Sequence, residues 1–149
     1  RLGLLTALRR TVDNDLAQAF DEVVWHIDAD AAEKARDIPT LTAETIFYAA
    51  REVVRNAARY GRAGNNKPFT LCIDADWQNG LRLLIEDNGV GLDATTDNKG
   101  SAANKGSGQG LALHSTMMAV VGGTLETDSV RGQYTRVVIT LPQSPAIQP

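Results

Sequence analysis

The apolar positions fall into runs of two different periods. Leu5, Leu8, Val12, Leu16 and Ala19 recur at helical spacing, which predicts an amphipathic helix over residues 2–20. The run Glu22-Val23-Val24-Trp25-His26-Ile27-Asp28 predicts a strand, and an acidic, alanine-rich connection follows it to Pro39. Thr40 or Thr42 is the expected cap of a long helix reaching Tyr60, where Gly61 supplies the stop. Strands are expected over residues 69–76 and 81–86. The Asn79-Gly80 pair between them signals a hairpin, because both residues tolerate positive φ. A helix over about 110–121 should end at Gly122-Gly123, and a second hairpin over 124–129 and 134–141 should turn at Arg131-Gly132. Residues 143–149 read as a disordered tail after one domain spanning 1–142.

Between the first hairpin and the helix near residue 110 the pattern is lost. From Asn88 to Gly110 the chain is Gly, Asn, Asp, Ser, Thr and Lys, over a length that compact domains reserve for lids or disorder.

Composition narrows the class. A chain of 149 residues with 43% apolar and 22% charged residues is an ordinary single domain with a core of its own. Its net charge of −3 argues against a nucleic-acid partner. Cys72 is the lone cysteine and lies in the apolar run Phe69-Thr70-Leu71-Cys72-Ile73, so a buried structural thiol in a reducing, cytoplasmic setting is expected. No apolar stretch approaches the roughly 18–20 residues of a membrane span, so no direct membrane contact is expected. The chain begins at an arginine and reads as a fragment of a larger, membrane-anchored protein.

Three places carry candidate chemistry. On the long helix, Glu52, Asn56 and Arg59 share one face at spacings of four and three. They form either a solvated surface or a metal-phosphate site, since Mg²⁺ takes one or two protein oxygens alongside phosphates. At the end of the strand Leu83-Leu84-Ile85-Glu86, Asp87 sits on a tip that Gly89 and Gly91 allow to turn tightly. Its carboxylate either belongs to an Asp-Asn-Gly turn or accepts a hydrogen bond from an exocyclic amine such as adenine's, a charge-assisted bond of about 1.5–3 kcal/mol. The third place is Gly106-Ser107-Gly108-Gln109-Gly110-Leu111 before the predicted helix, where backbone N–H groups and a helix start suit an anion. It lacks the preceding strand of a dinucleotide fold and the Gly-Lys-Ser/Thr of a P-loop.

In order, these elements resemble the GHKL superfamily of gyrase B subunits, heat-shock chaperone ATPases, MutL-type ATPases and sensor histidine kinases. Glu52-x-x-x-Asn56-Ala57-x-Arg59-Tyr60 is similar to the N box, Asp87-Asn88-Gly89-Val90-Gly91 to the first glycine box, and Gly106-x-Gly108-x-Gly110-Leu111 to the second. The resemblance covers residues 2–142 and implies a Bergerat-type α+β two-layer sandwich. Its sheet would be mixed and mostly antiparallel, with helices on one face. It also implies a Mg-ATP site. Asn56 would coordinate Mg²⁺, Asp87 bind the adenine amine and Glu52 act as general base. Arg59 and Tyr60 would lie along the nucleotide, with Gly89 and Gly91 letting the loop approach the base. Gly106, Gly108, Gly110 and Leu111 would border the phosphates, and Thr135 would support Asp87 through water. Residues 92–105 would form the ATP lid, with Lys99 and Lys105 either contacting the phosphates or, the commoner state of such lysines, solvated.

Within that superfamily the short lid and the helix-hairpin ending resemble sensor kinases, closest to the nitrate-sensor and desiccation-type branch. Gln109 stands where leucine is common, and no phenylalanine lies between Gly91 and Gly106. Neither His26, in a predicted strand, nor His114, inside a predicted packing helix, is followed by the acidic residue of a phosphoacceptor. The implied activity is therefore phosphoryl transfer from ATP to a histidine on a separate dimerisation domain, with a response regulator downstream. Two alternatives share the boxes: a serine-protein kinase of the anti-sigma-factor type, and a nucleotide-binding regulatory module without transfer.

Overall fold

A computed structural model describes residues 3–62, 68–90 and 102–143, without the side chains of 102–110. Its centre is a five-stranded sheet: β1 (Glu22–Ile27), β2 (Thr70–Trp77), β3 (Gly80–Asp87), β4 (Thr124–Val130) and β5 (Tyr134–Pro142), in the order β1-β2-β3-β5-β4. Only the β1–β2 pairing is parallel; the other three are antiparallel. A parallel neighbour needs a crossover. It is supplied by the long helix Thr40–Tyr60, which lies between β1 and β2 in the chain.

The helices are α1 (Leu4–Thr11), α2 (Ala29–Lys34), α3 (Thr40–Tyr60) and α4 (Ala102–Val120). Alternation along the strands sends Leu71, Ile73, Leu83, Ile85, Val137 and Ile139 to the face that packs on the helices. Against them lie Ile46, Ala49, Ala50, Val53 and Val54 of α3. The opposite face carries Cys72, Asp74, Arg82, Glu86 and Arg136 and stays half-exposed to exposed. Two layers and one covered face match the expected α+β sandwich.

Several boundaries differ from the sequence reading, each for a local reason. The first helix does not run through to residue 20. After Thr11 it loosens into a π-helical turn over Val12–Leu16 and a 3₁₀ turn over Ala17–Ala19. Asp13, Asn14 and Asp15 are weak helix formers there, while Val12 stays fully buried. The alanine-rich connection is itself partly helical, because the Asp28 side chain caps α2 by accepting from Asp30 N–H at 3.1 Å. Neither threonine caps α3. Thr40 is its first residue, the capping position is Pro39, and no side chain bonds there. Cys72 is not buried in the core. The two-residue period puts it on the open face between inward Leu71 and Ile73, half-buried.

The two hairpins turn where expected, with Asn79 at φ 58° and Gly132 at φ 78°. Of the tail expected to be disordered over 143–149, Gln143 is described and its N–H donates to Asn79 O at 2.8 Å, while residues 144–149 lie outside the described residues.

Candidate functional site

The site is assembled where the end of α3 meets the tips of β3 and β5. Asp87 closes β3 and pairs in register with Thr135 of β5, so both side chains point to the helix-covered face. Asp87 is only 6% exposed. Facing it from α3 is Asn56, 9% exposed, together with Val53, Ala57, Tyr60 and Gly61. Val90, Leu111 and Val137 complete the walls of a cavity of about 30 Å³. Roomier grooves exist, such as one of about 490 Å³ between α1 and the start of α3. Size does not choose the site; the buried carboxylate and carboxamide do.

The turn that presents Asp87 is braced on every side. Gly89 N–H donates to Asp87 Oδ1 at 2.8 Å. Val90 N–H donates to Gly61 O at 3.0 Å, and Gly132 N–H donates to Val90 O at 2.7 Å. Asn88 faces away and ties the turn to the start of β2: its Oδ1 accepts from Thr70 N–H at 2.8 Å and its Nδ2 donates to Pro68 O at 2.9 Å. This role of Asn88 was not read from the sequence, although an Asx residue after a strand tip is the signal for such a turn.

Two glycines are required by contact. A Cβ on Gly89 would clash with the Gly61 carbonyl and lie 2.8 Å from Asp87 Oδ1. Gly61 stops α3 as expected, at φ −75° and not in the left-handed conformation that favours glycine. It is needed for closeness instead: a Cβ there would clash with the Phe69 ring and lie 2.7 Å from Ala57 O. The strand tip thus rests directly on the helix end, backbone to backbone.

Burial sets the electrostatics. It pushes the Asp87 carboxyl up to about 6, with the Gly89 N–H pulling the other way and Glu86 adding a small upward push. Asn56 Nδ2 is buried without a hydrogen-bond partner. A buried carboxamide with an orphaned atom, aimed into a cavity beside a carboxylate, fits a ligand or metal from outside the chain, since its oxygen and nitrogen exchange by a simple flip.

The three residues predicted on one face of α3 are split by depth. Asn56 is buried, Glu52 half-buried one turn earlier, and Arg59 exposed, with its guanidinium 5.8 Å from the Tyr60 ring centre. Tyr60 lines the cavity. Gly91 and Lys99 lie outside the described residues, as does the Lys105 side chain. Gly106, Gly108 and Gly110 do not form a loop before a helix. They lie inside α4, which starts at Ala102, eight residues before the expected start. Ala102, Ala103, Lys105 and Gln109 are good helix formers that let α4 extend backward from Leu111, which is buried at the cavity. Of the histidines, His26 is exposed on the open sheet face and His114 is half-buried on α4.

Comparisons with known proteins bear on the family and the fold. Residues 42–145 match the family described as histidine kinase-, DNA gyrase B-, and HSP90-like ATPase. The sensor protein kinase WalK of Staphylococcus saprophyticus is 28% identical over 127 residues, covering 72% of this chain and 20% of that protein. The chain therefore spans about a fifth of that curated relative's length. Among solved structures, the histidine kinase domain of the blue-light activated histidine kinase EL346 from Erythrobacter litoralis superposes with a TM-score of 0.70 at 20% identity. That match covers 95% of this chain and 61% of that one. The Acinetobacter baumannii histidine kinase AdeS superposes at 0.58 and 17% identity, covering 95% of this chain and 64% of that one. Among the described residues, no helix is long and apolar enough to cross a membrane.

Proposed function

Because this chain belongs to the histidine kinase-, DNA gyrase B-, and HSP90-like ATPases, we propose that it binds Mg-ATP at Asp87 and Asn56 and donates the γ-phosphoryl group to a histidine. That histidine would lie on a dimerisation domain of the same sensor kinase, which then passes the phosphoryl group to a response regulator. The observation that carries this reading is the buried Asp87–Asn56 cavity, with one polar atom of Asn56 unpartnered.

In this mechanism Asp87 accepts a hydrogen bond from the adenine amine, and its position is held by Gly89 N–H. The cavity of about 30 Å³ beside Thr135 has room for a water linking the two side chains. Asn56 would hold Mg²⁺ through its carboxamide oxygen, and the ion would supply charge neutralisation at the phosphates. Arg59 and Tyr60 flank the nucleotide at the end of α3. The glycines of α4 and Gly91 let backbone approach the base and phosphates. Glu52 serves as the base: it polarises the incoming imidazole as the bond from the γ-phosphorus to ADP breaks and the N–P bond forms. Most of the rate comes from alignment and charge neutralisation rather than covalent chemistry by the domain.

Incubating the full-length parent with γ-labelled ATP and Mg²⁺ tests the reaction. The expected product is an acid-labile, base-stable phosphoprotein; an acid-stable product would make the enzyme a serine kinase and overturn the proposal. In a separate titration, the Asn56→Ala chain should bind ATP with an affinity that no longer responds to Mg²⁺. Retained Mg²⁺ dependence would remove Asn56 from the metal site.

A further inference from the structure

The open face of the sheet, away from the nucleotide cavity, gathers a second set of reactive side chains. His26 on edge strand β1 stands in register with Asp74 on β2. Cys72 precedes Asp74 by two residues and so projects from the same face. His26 Nδ1 lies 2.9 Å from Asp74 Oδ1, and the Cys72 thiol donates to that oxygen at 3.5 Å. The third edge, Cys72 Sγ to His26 Nδ1, measures 3.9 Å.

A histidine–aspartate contact alone would be an ordinary surface pair. The added thiol changes its chemistry, because imidazole, thiolate and carboxylate are the usual protein ligands of zinc. Bond lengths of about 2.0 Å to nitrogen and oxygen and about 2.3 Å to sulfur place tetrahedral ligand atoms roughly 3.3–3.5 Å apart. The three observed edges bracket that range, so side-chain adjustments of about half an ångström would close the triangle on a metal.

The geometry points to a zinc site formed by His26 Nδ1, Cys72 Sγ and Asp74 Oδ1, with its fourth position open to water. The site is reachable from solvent, since the His26 and Asp74 side chains are 67% and 40% exposed. On binding, the Cys72 S–H bond breaks and its proton goes to solvent, the Nδ1 proton shared with Asp74 leaves as the neutral imidazole takes the Nε2–H tautomer, and sulfur and Nδ1 both donate lone pairs to the metal. One thiolate and one carboxylate balance the dication. The metal would fasten edge strand β1 to β2 on the side of the sheet opposite Asp87.

Titration of the 149-residue chain with Co²⁺, followed by displacement with Zn²⁺, tests the site. The expected result is one equivalent of tetrahedral cobalt with a thiolate charge-transfer band that one equivalent of Zn²⁺ abolishes. The near-isosteric Cys72→Ser chain should lose the band. His26→Gln, at an exposed position, should weaken Zn²⁺ binding by more than about tenfold. A spectrum without the thiolate band, or a Cys72→Ser chain that binds Zn²⁺ as tightly as the parent, would overturn the assignment.

Discussion

Asp87 is held in a place that suits recognition and burdens the fold. Its carboxyl titrates near 6 rather than at the ordinary 3.8, because burial disfavours the charged form. Between those values the folded chain binds more protons than the unfolded one, so stability falls as pH rises from about 4 to about 6. Above that window the ionised carboxylate costs on the order of 2–3 kcal/mol. Asp87→Asn keeps an oxygen for the Gly89 N–H and removes the charge. The variant should therefore melt several degrees higher at neutral pH, by about 2–4 °C per kcal/mol, and lose that advantage below about pH 4. Thermal denaturation across this pH range checks it; equal melting temperatures at neutral pH would contradict the burial argument. The presence of Asp87 at a strand tip was legible, because an apolar alternation ends in Asp-Asn-Gly. Its partners were not. Gly61 and Asn56 reach it from α3 only after the chain has crossed the sheet, and no local pattern records that contact.

At the scale of elements, period was a good guide and caps were not. The extent of α3 and the Asn-Gly hairpin were read correctly, since both signals are local. Nothing local shows that Thr45 and Asn56, both polar, are buried with Ile46 and Val53. Their burial depends on what faces them: Thr45 satisfies its hydroxyl by donating to Leu41 O at 3.0 Å, and Asn56 opens onto the cavity. α4 carries the largest disagreement. Glycine costs about 1 kcal/mol relative to alanine within a helix, yet Gly106, Gly108 and Gly110 all lie in this one. If close backbone approach to phosphates is what those glycines serve, Gly108→Ala should stabilise the free chain by up to about 1 kcal/mol while weakening ATP binding. Denaturant unfolding and ATP titration of that variant measure both. A variant that is stabilised and binds ATP unchanged would remove Gly108 from the site.

Over the whole molecule, the sheet separates two kinds of chemistry. Its covered face holds the hydrophobic core and, at one end, Asp87, Thr135 and Asn56. Its open face holds an ionic ladder in which Arg136 Nε donates to Glu86 Oε1 at 2.8 Å, and beyond it the His26–Cys72–Asp74 trio. The boxes along the chain made the first legible, because their order repeats a family pattern. The trio was invisible in sequence because His26 and Asp74 are 48 positions apart and meet only through the parallel β1–β2 pairing. The central claim, that this domain selects ATP by its adenine amine through Asp87, can be measured calorimetrically with the Mg²⁺ complexes of ATP and ITP. ITP carries a carbonyl oxygen where adenine has the amine. A lost charge-assisted hydrogen bond of about 1.5–3 kcal/mol predicts roughly 10- to 150-fold tighter binding of ATP by the parent chain, and no such preference in Asp87→Asn. Equal affinity of the parent chain for the two nucleotides would contradict the account.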